Sequence, residues 1–253
     1  MDRNKRKLVD YILIVLSPIV LIILWQVVTE KGIINGAIMP SPKKVIESFN
    51  ALIDTKKYQE HFQASLIRVA IGFAIGAILG MVAGILTGLF KKIDDVVTVL
   101  FSVLRSIPTI GLIPLFILWL GIGELSKIII IAIGSFWPIL LNTQRGISGT
   151  DTKLFEVSRI LQKDKLTVLL KIVLPSSLPS IFTGIRLGLS GAWRSVIAAE
   201  MIASMRGIGY MIQYAREMSQ PATMFVGLLT LGIVGLALDL LVKGLEKKLI
   251  FWA

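Results

Sequence analysis

Long uncharged runs dominate the hydrophobic pattern of this chain, and their length predicts membrane-spanning helices. A helix needs about 20 apolar residues to cross a hydrocarbon core of ~30 Å. Six runs approach that length, at residues 11–29, 69–90, 106–123, 128–144, 178–203 and 218–238. The third run is the core of a span that begins near Val96. The pattern therefore predicts an all-α, polytopic membrane protein with six transmembrane helices in a single domain, residues 1–253.

The composition agrees with a membrane protein. Of the 253 residues, 55% are hydrophobic and 17% are charged, and the mean hydropathy is +0.80, whereas a soluble domain is about one quarter charged. The absence of cysteine excludes disulfides and thiolate chemistry, and a single histidine, His61, excludes a His-rich metal site. A net charge of +11 would suggest nucleic acid in a soluble protein. Here it indicates basic loops facing an anionic membrane surface, so no nucleic-acid partner is expected.

The distribution of lysine and arginine predicts the orientation. With both termini on the cytoplasmic side, the inner segments contain 15 of these residues and the outer segments contain 8. Cytoplasmic loops carry the excess of basic residues in membrane proteins. We therefore expect both termini to be cytoplasmic.

The first outer loop contains an external amphipathic segment at 39–64. Proline at two positions of the sequence MPSP, 39–42, stops any preceding helix, and Ser41-Pro42 suits the start of a new one. Val45, Phe49 and Leu52 then follow at helical spacing. The pattern predicts a short helix at the outer interface that packs on its own bundle or contacts a partner.

The second span carries a glycine at every fourth position, at Gly72, Gly76, Gly80, Gly84 and Gly88. Small residues at this spacing let a second helix approach closely in a membrane. The ridge predicts close helix packing, either within one subunit or between two, and could also act as a sliding surface.

The third span contains Pro108 and Pro114 on either side of Gly111. Proline removes a backbone hydrogen bond and kinks a helix. The kink is either a static bend or part of a pathway wall.

The fifth span carries three charged residues, Arg186 nearer its inner end and Arg194 and Glu200 further along. A charge at a helix centre costs about 2.5–3.5 kcal/mol on insertion scales and usually faces a bundle interior or a wet cavity. Six residues separate the latter two side chains by about 240° on a helix, so each should meet groups on other helices. Either they form a buried ion pair or a carbonyl-capped arginine that holds the bundle together, or Arg194 lines a pathway that favours anions. Arg68, Arg105 and Arg186 are interpreted as snorkelling residues near span ends.

Four residues are therefore candidates for the translocation pathway. They are Arg194, Glu200, Trp193 and Pro108.

A charged segment at 151–175 separates the fourth and fifth spans on the predicted cytoplasmic side. Apolar residues at helical spacing predict one short helix at 151–161, and the apolar pattern resumes at 166–174 after a polar turn. Pro175 and Pro179 are expected to end this second helix. From the residues alone, the segment either docks a partner or lies on the inner leaflet.

Within this segment, EVSRILQKDKLTVLLKIVLP at 156–175 resembles the EAA loop of ABC-importer permeases. The resemblance extends from about Met39 to Trp252 and includes MPSP at 39–42, SLIRVAIGFAIGAILG at 65–80, PLFILWLGIGELSK at 114–127, LPSIFTGIRLGLSGAWRSVIAAEM at 178–201 and GIGYMI at 207–212. The chain is similar to bacterial permease subunits of the branch that includes nitrate, sulfonate, taurine and bicarbonate systems.

The resemblance implies that the 151–175 segment couples the permease to an ATPase. The residues implied in this contact are Glu156, Val157, Ser158, Gln162, Ile172, Leu174 and Pro175. Val157 and Ser158 stand where the family has two alanines, and Gln162 stands where it has glycine, which tolerates positive φ at little cost.

The resemblance also implies the partners. Two permease copies would form the pathway as a homodimer in the bacterial inner membrane, two ATPase subunits would bind ATP and Mg²⁺, and an external binding protein would deliver a small, anionic solute. The chain itself is expected to be no enzyme and to bind no cofactor or metal. It contains no G-x-x-x-x-G-K-[ST] phosphate loop, so ATP hydrolysis is expected in a separate ATPase subunit. A secondary transporter without an ATPase is the alternative; a membrane-embedded enzyme would need more clustered catalytic groups.

Overall fold

The computed structural model describes the backbone of residues 3–250 and the side chains of residues 16–250, and this part of the chain contains helices and no strand. In chain order the helices are α1 (Arg3–Glu30), α2 (Pro42–Asp54), α3 (Lys57–Leu89), α4 (Lys91–Ser106), α5 (Ile113–Leu120), α6 (Glu124–Ser148), α7 (Thr152–Ile160), α8 (Lys165–Val168), α9 (Leu174–Ala203), α10 (Ile208–Glu217) and α11 (Pro221–Leu249). A 3-10 turn at Thr109–Leu112 precedes α5, and a π turn at Leu169–Val173 joins α8 to α9.

Four helices are long and apolar enough to cross a membrane: α3, α6, α11 and the continuous helix Lys165–Ala203. Helix α4 and the segment 109–120 would form a fifth span together, but they are bent by 84° at the break between them. The apolar segment Leu16–Glu30 of α1 is shorter, and the beginning of the predicted first span lies outside the described side chains. The all-α membrane class is confirmed, and the count of six spans stays a prediction.

The third predicted span is a broken helix rather than a kinked one. Ile107 is extended, with φ −76° and ψ 118°, immediately before Pro108, because proline disfavours the helical conformation of the residue that precedes it. Pro114 lies in the first turn of α5, where no backbone N–H is required. Pro108 therefore breaks the span, and the expected second kink at Pro114 is absent.

Helix α6 lies at the centre of the bundle, between glycines of α3 and α9. A Cβ at Gly80 of α3 would lie 2.7 Å from the Phe136 carbonyl oxygen, and one at Gly188 of α9 would lie 2.7 Å from side-chain atoms of Ile139. The other four glycines of the predicted ridge also face α6 at distances that leave no room for a side chain. The ridge thus packs within this chain, and so it is not a free surface for a second copy.

The predicted helix in the 39–64 segment is present as α2, with the Ser41 hydroxyl accepting the Lys44 N–H at 3.4 Å. Val45 of α2 joins a buried apolar cluster with residues of α10 and α11, namely Ile208, Met211, Ile212 and Val226. Residues from 57 onward belong to α3. Packing of α2 on its own bundle is therefore observed, and the partner contact stays a prediction.

The two ends of the bundle are set by α9. Its 30 residues extend about 45 Å at 1.5 Å per residue; α7, α8 and the π turn precede its first residue in the chain, and α10 follows its last. We name these the α7 end and the α10 end.

Candidate functional site

At the α7 end, side-chain caps fix the loop that joins α6 to α9. The Asp151 carboxylate accepts the Lys153 N–H at 2.9 Å at the start of α7, and the Asp164 carboxylate accepts the Thr167 N–H at 3.0 Å at the start of α8. Hydrogen bonds from the side chain and backbone of Thr167 hold the pKa of Asp164 below its ordinary value. The loop therefore has a defined helix–turn–helix conformation.

The turn between α7 and α8 has a left-handed residue at Gln162, with φ +49°. The Lys163 N–H donates to the Ser158 carbonyl and the Gln162 N–H donates to the Arg159 carbonyl, both at 3.0 Å. This pair of bonds is the Schellman motif, whose left-handed position is usually glycine. Gln162 thus adopts the backbone conformation for which glycine is best suited.

Pro175 and Pro179 do not end the helix that follows this turn. The helix is continuous from Lys165 to Ala203, with Pro175 in the first turn of α9 and Pro179 inside it. The π turn at Leu169–Val173 changes the hydrogen-bond register just before Pro175, so the missing N–H is accommodated without a break. As a consequence, α8 continues into α9 without a break, and the turn at 161–164 is the segment that joins α7 to this helix.

The loop presents apolar side chains on its surface. Val157 is 51% exposed, Ile160 80% and Leu161 59%, and Glu156 and Gln162 are also exposed. Contiguous exposed apolar groups commonly mark interaction surfaces. We call this set the α7 surface.

Other residues predicted in the partner contact are less accessible. Ser158 is only 4% exposed, and its hydroxyl donates to the Phe155 carbonyl. Ile172, Leu174 and Pro175 are half-buried. A cavity of about 530 Å³ also separates α7 and α8 from the end of α3 at Leu89 and Phe90.

A second candidate site is a cavity of about 290 Å³ midway along the bundle, which we call the Arg194 cavity. Its lining residues are Pro108, Thr109, Ile110, Gly134, Gly191, Arg194 and Ser195. Arg194 is exposed and its Nε donates to the Ser190 carbonyl at 3.2 Å. Among the described residues it forms no ion pair. The structure thus brings together two of the four pathway candidates, Arg194 and Pro108.

The other two pathway candidates, Trp193 and Glu200, lie inside the bundle. Trp193 is 4% exposed and its indole N–H donates to the Leu231 carbonyl at 3.1 Å. Consecutive residues point about 100° apart on a helix, which is why Trp193 faces the core although Arg194 faces the cavity. Glu200 is fully buried. Neither side chain lines the Arg194 cavity.

Glu200 is the centre of a buried polar network that joins three elements. Its carboxylate accepts hydrogen bonds from the Ser65 hydroxyl at 2.8 and 2.9 Å, from Arg68 Nη1 at 2.8 Å and from the Gly209 N–H at 3.0 Å. These bonds satisfy a charge that would otherwise be costly to bury. Glu200 thus corresponds to the buried ion pair that was the structural alternative in the sequence analysis.

Arg68 was wrongly interpreted as a snorkelling residue. Its guanidinium, with the side chain 8% exposed, binds Glu124 with two bonds of 2.6 and 2.7 Å in addition to Glu200. Lys127 pairs with the same Glu124 carboxylate at 2.9 Å. Helix α3 begins at Lys57, well before the uncharged run, so Arg68 lies inside the helix rather than at its end. A glutamate such as Glu200 inside a span requires a positively charged partner, and this requirement was the sequence signal that could have identified Arg68 as that partner.

The same network anchors the turn between α9 and α10. The Ile208 N–H donates to the Ser65 hydroxyl at 2.8 Å, and the Gly207 N–H donates to His61 Nδ1 at 3.2 Å. Gly207 has φ +123°, and a Cβ there would collide with the Glu200 carboxylate. Only glycine fits this position.

Comparisons with known proteins agree over most of the chain. Residues 61–251 match the family described as "Binding-protein-dependent transport system inner membrane component". The chain is 40% identical over 237 residues to SsuC of Bacillus subtilis, named as an aliphatic sulfonates transport permease, covering 94% of this chain and 86% of that one. It is 34% identical to the nitrate import permease NrtB of Synechocystis, covering 91% and 86% respectively.

A solved structure has the same fold. The MetNI methionine ABC transporter, described in inward-facing conformations, matches with a TM-score of 0.64 and 20% identity, covering 73% of this chain and 92% of that one.

Proposed function

This chain belongs to the family of binding-protein-dependent transport system inner membrane components, and we propose that it is the permease subunit of an ATP-driven importer for a small anion. The observation that carries this proposal is the exposed α7 surface, which only the four-residue turn at 161–164 separates from the helix that is continuous from Lys165 to Ala203. A rigid loop with exposed apolar groups is suited to receive force from a docked partner.

The partner is an ATPase that binds ATP and Mg²⁺, with two ATPase subunits serving two copies of the permease. When the ATPases close, the docked α7 loops move, and we expect α9 to follow because only the four-residue turn at 161–164 separates α7 from the helix that is continuous from Lys165 to Ala203. Arg194 lies on α9 and therefore changes position relative to α6 and to residues 108–110, which form the other walls of the cavity. The Arg194 cavity would thus open to alternate sides of the membrane.

The orientation follows from this coupling. The α7 end faces the cytoplasm of a bacterium, as do both termini, and the α10 end faces outward. There α2, α10 and the turn anchored by Glu200 form the surface that would receive the external binding protein.

The substrate class is suggested by the relatives and by Arg194 together. Two relatives are named for the transport of aliphatic sulfonates and of nitrate, and both kinds of solute are oxyanions. A guanidinium binds such groups with two parallel hydrogen bonds. Arg194 has no ion-pair partner among the described residues, and so its charge is available to an anion.

Charge reversal at Glu156 tests the coupling. We expect Glu156→Lys to abolish co-purification with the ATPase and ATP-driven uptake, while the permease still folds. Glu47→Lys, the same change on the exposed face of α2, is the matched control and should retain ATPase binding. Full ATPase binding by Glu156→Lys would show that the α7 surface is not the docking site.

Removal of the charge at Arg194 tests the pathway. We expect Arg194→Gln to lower uptake and leave thermal stability and ATPase binding unchanged, because the side chain is exposed and forms no ion pair among the described residues. Arg186→Gln, on the same helix but next to Asp239 at 3.6 Å, serves as the control. Unchanged uptake in Arg194→Gln would exclude this residue from the pathway.

A further inference from the structure

Helix α4 carries a stripe of polar residues along one face, although most of the helix around it is apolar. Asp94, Thr98, Ser102 and Arg105 follow one another at spacings of three or four residues, which places them on one face of the helix. The other face is apolar and open, and Val96 there is 78% exposed. In a membrane helix such a stripe faces a protein interior or water rather than lipid.

The stripe faces polar residues near the end of α6. Together the two helices enclose a cavity of about 310 Å³, which we call the Arg105 cavity; its polar lining residues are Asp94, Thr98, Ser102, Arg105, Gln144, Arg145 and Ser148. Arg105, which the sequence analysis interpreted as a snorkelling residue, thus points into a cavity. The site is built from two helices rather than from one.

The charges in this cavity are unequally satisfied. The Oδ1 atom of Asp94 accepts the Gln144 amide at 2.6 Å and the Thr98 hydroxyl at 2.8 Å. Arg105 and Arg145, by contrast, form no ion pair within the described residues. The cavity therefore holds two free guanidinium groups beside one carboxylate that is already hydrogen-bonded.

The Arg105 cavity lies next to the Arg194 cavity along the bundle. Arg105 is three residues before Pro108, which lines the Arg194 cavity. On α6, Gly134 lines one cavity and Arg145 the other, and their eleven-residue separation corresponds to about 16 Å toward the α7 end. The two cavities thus follow each other along α4 and α6.

We propose that the Arg105 cavity is a second binding subsite for a small oxyanion, which the anion occupies after it leaves Arg194. This inference rests on the proposed function. Arg105 and Arg145 hold the oxyanion, and the Ser102 hydroxyl adds a donor, whereas the Ser148 hydroxyl already donates to the Gln144 carbonyl at 2.8 Å. Asp94, at the α7 end of the cavity, keeps the binding weak enough for release, since conduction requires sites that an ion can leave.

The absence of cysteine from the chain allows a direct test. Ser102→Cys places a single thiol in the Arg105 cavity, and its reaction rate is measured with a sulfonate-bearing and with a trimethylammonium-bearing methanethiosulfonate reagent. We expect the anionic reagent to react faster. We expect the anionic-to-cationic rate ratio to fall by about tenfold or more when Arg105→Gln and Arg145→Gln are added, because two positive charges close to the thiol are removed. Arg186→Gln is the matched control and should leave the ratio unchanged.

A transport measurement completes the test. In the assembled transporter with wild-type Ser102, Arg105→Gln/Arg145→Gln should lower methanesulfonate uptake at least about tenfold while thermal stability and ATPase binding stay normal. An unchanged rate ratio, or normal uptake by this variant, would overturn the second subsite. Failure of the unsubstituted complex to show ATP-driven uptake would instead contradict the proposed function, and the labelling ratio would still report on the cavity.

Discussion

Replacing Glu200 with glutamine is expected to destabilise the protein strongly. The change keeps the shape of the side chain and removes one charge from a group that is completely buried. Arg68 then loses its buried counter-charge at 2.8 Å, while Ser65 and the Gly209 N–H keep an oxygen to which they can donate. The effect therefore measures the ion pair more than the hydrogen bonds around it.

The matched comparison is Glu124→Gln. Glu124 binds the same guanidinium at 2.6 Å, but its side chain is 59% exposed. Removal of one partner from a buried pair typically costs about 3–5 kcal/mol, whereas exposed pairs contribute about 0–1 kcal/mol. We expect the free energy of unfolding to fall by roughly 3–5 kcal/mol for Glu200→Gln and by about 1 kcal/mol for Glu124→Gln.

Thermal unfolding of the purified variants in detergent measures the difference. At about 2–4 °C per kcal/mol for a chain of this size, Glu200→Gln should lower the midpoint by roughly 6–20 °C and Glu124→Gln by a few degrees at most. Equal shifts in the two variants would refute the argument, because burial is the property that separates the two carboxylates.

Three further changes test the packing and the turns by the same thermal assay. Gln162→Gly should stabilise the protein by about 1 kcal/mol because the backbone there is left-handed. Gln162→Ala is the control and should give no such gain. Equal effects of the two substitutions would contradict the Schellman turn. Gly80→Ala should lower the free energy of unfolding by about 1–3 kcal/mol because the new Cβ would meet the backbone of α6. Gly232→Ala is the control and should have no such effect, since nothing lies within 4 Å of a Cβ there. A stable Gly80→Ala would show that α3 and α6 do not approach each other closely at this position. Thr143→Val should stabilise by about 1 kcal/mol, since the buried Thr143 hydroxyl has no hydrogen-bond partner among the described residues; a loss of stability would reveal a partner for that hydroxyl.

Run length in the sequence was sufficient to predict the apolar centres of the main spans but not their ends. Helix α3 extends to Lys57, twelve residues before the uncharged run begins. Hydropathy does not detect this part of the helix because it contains polar side chains. Ser65 and Arg68 can nevertheless be buried there, because their hydrogen-bond partners come from elements distant in sequence. The same reason explains why the role of Arg68 was missed.

Local backbone chemistry was predictable to different degrees. The substitution of Gln162 for a glycine indicated a strained turn, and the left-handed conformation is present. The end of the helix at Pro175 was predicted wrongly, because a π turn ahead of it was not visible in the sequence. For the third span, the residues identified the position of the disturbance at Pro108, but not an 84° bend.

The candidate pathway was predictable only in part. Spacing on a helix indicated that Arg194 and Glu200 face different directions, and they do. It could not indicate which of them faces a cavity, since that depends on residues 108–110 and α6 approaching α9 around Gly134 and Gly191.

The central claim is that this chain transports an anion by coupling to an ATPase through α7. Its most direct test is methanesulfonate accumulation in proteoliposomes that contain the permease with its ATPase and external binding protein. We predict accumulation against a gradient when ATP is supplied on the α7 side, and none when ATP is replaced by a non-hydrolysable analogue. Accumulation driven by a proton or sodium gradient in vesicles that contain the permease alone would contradict the account.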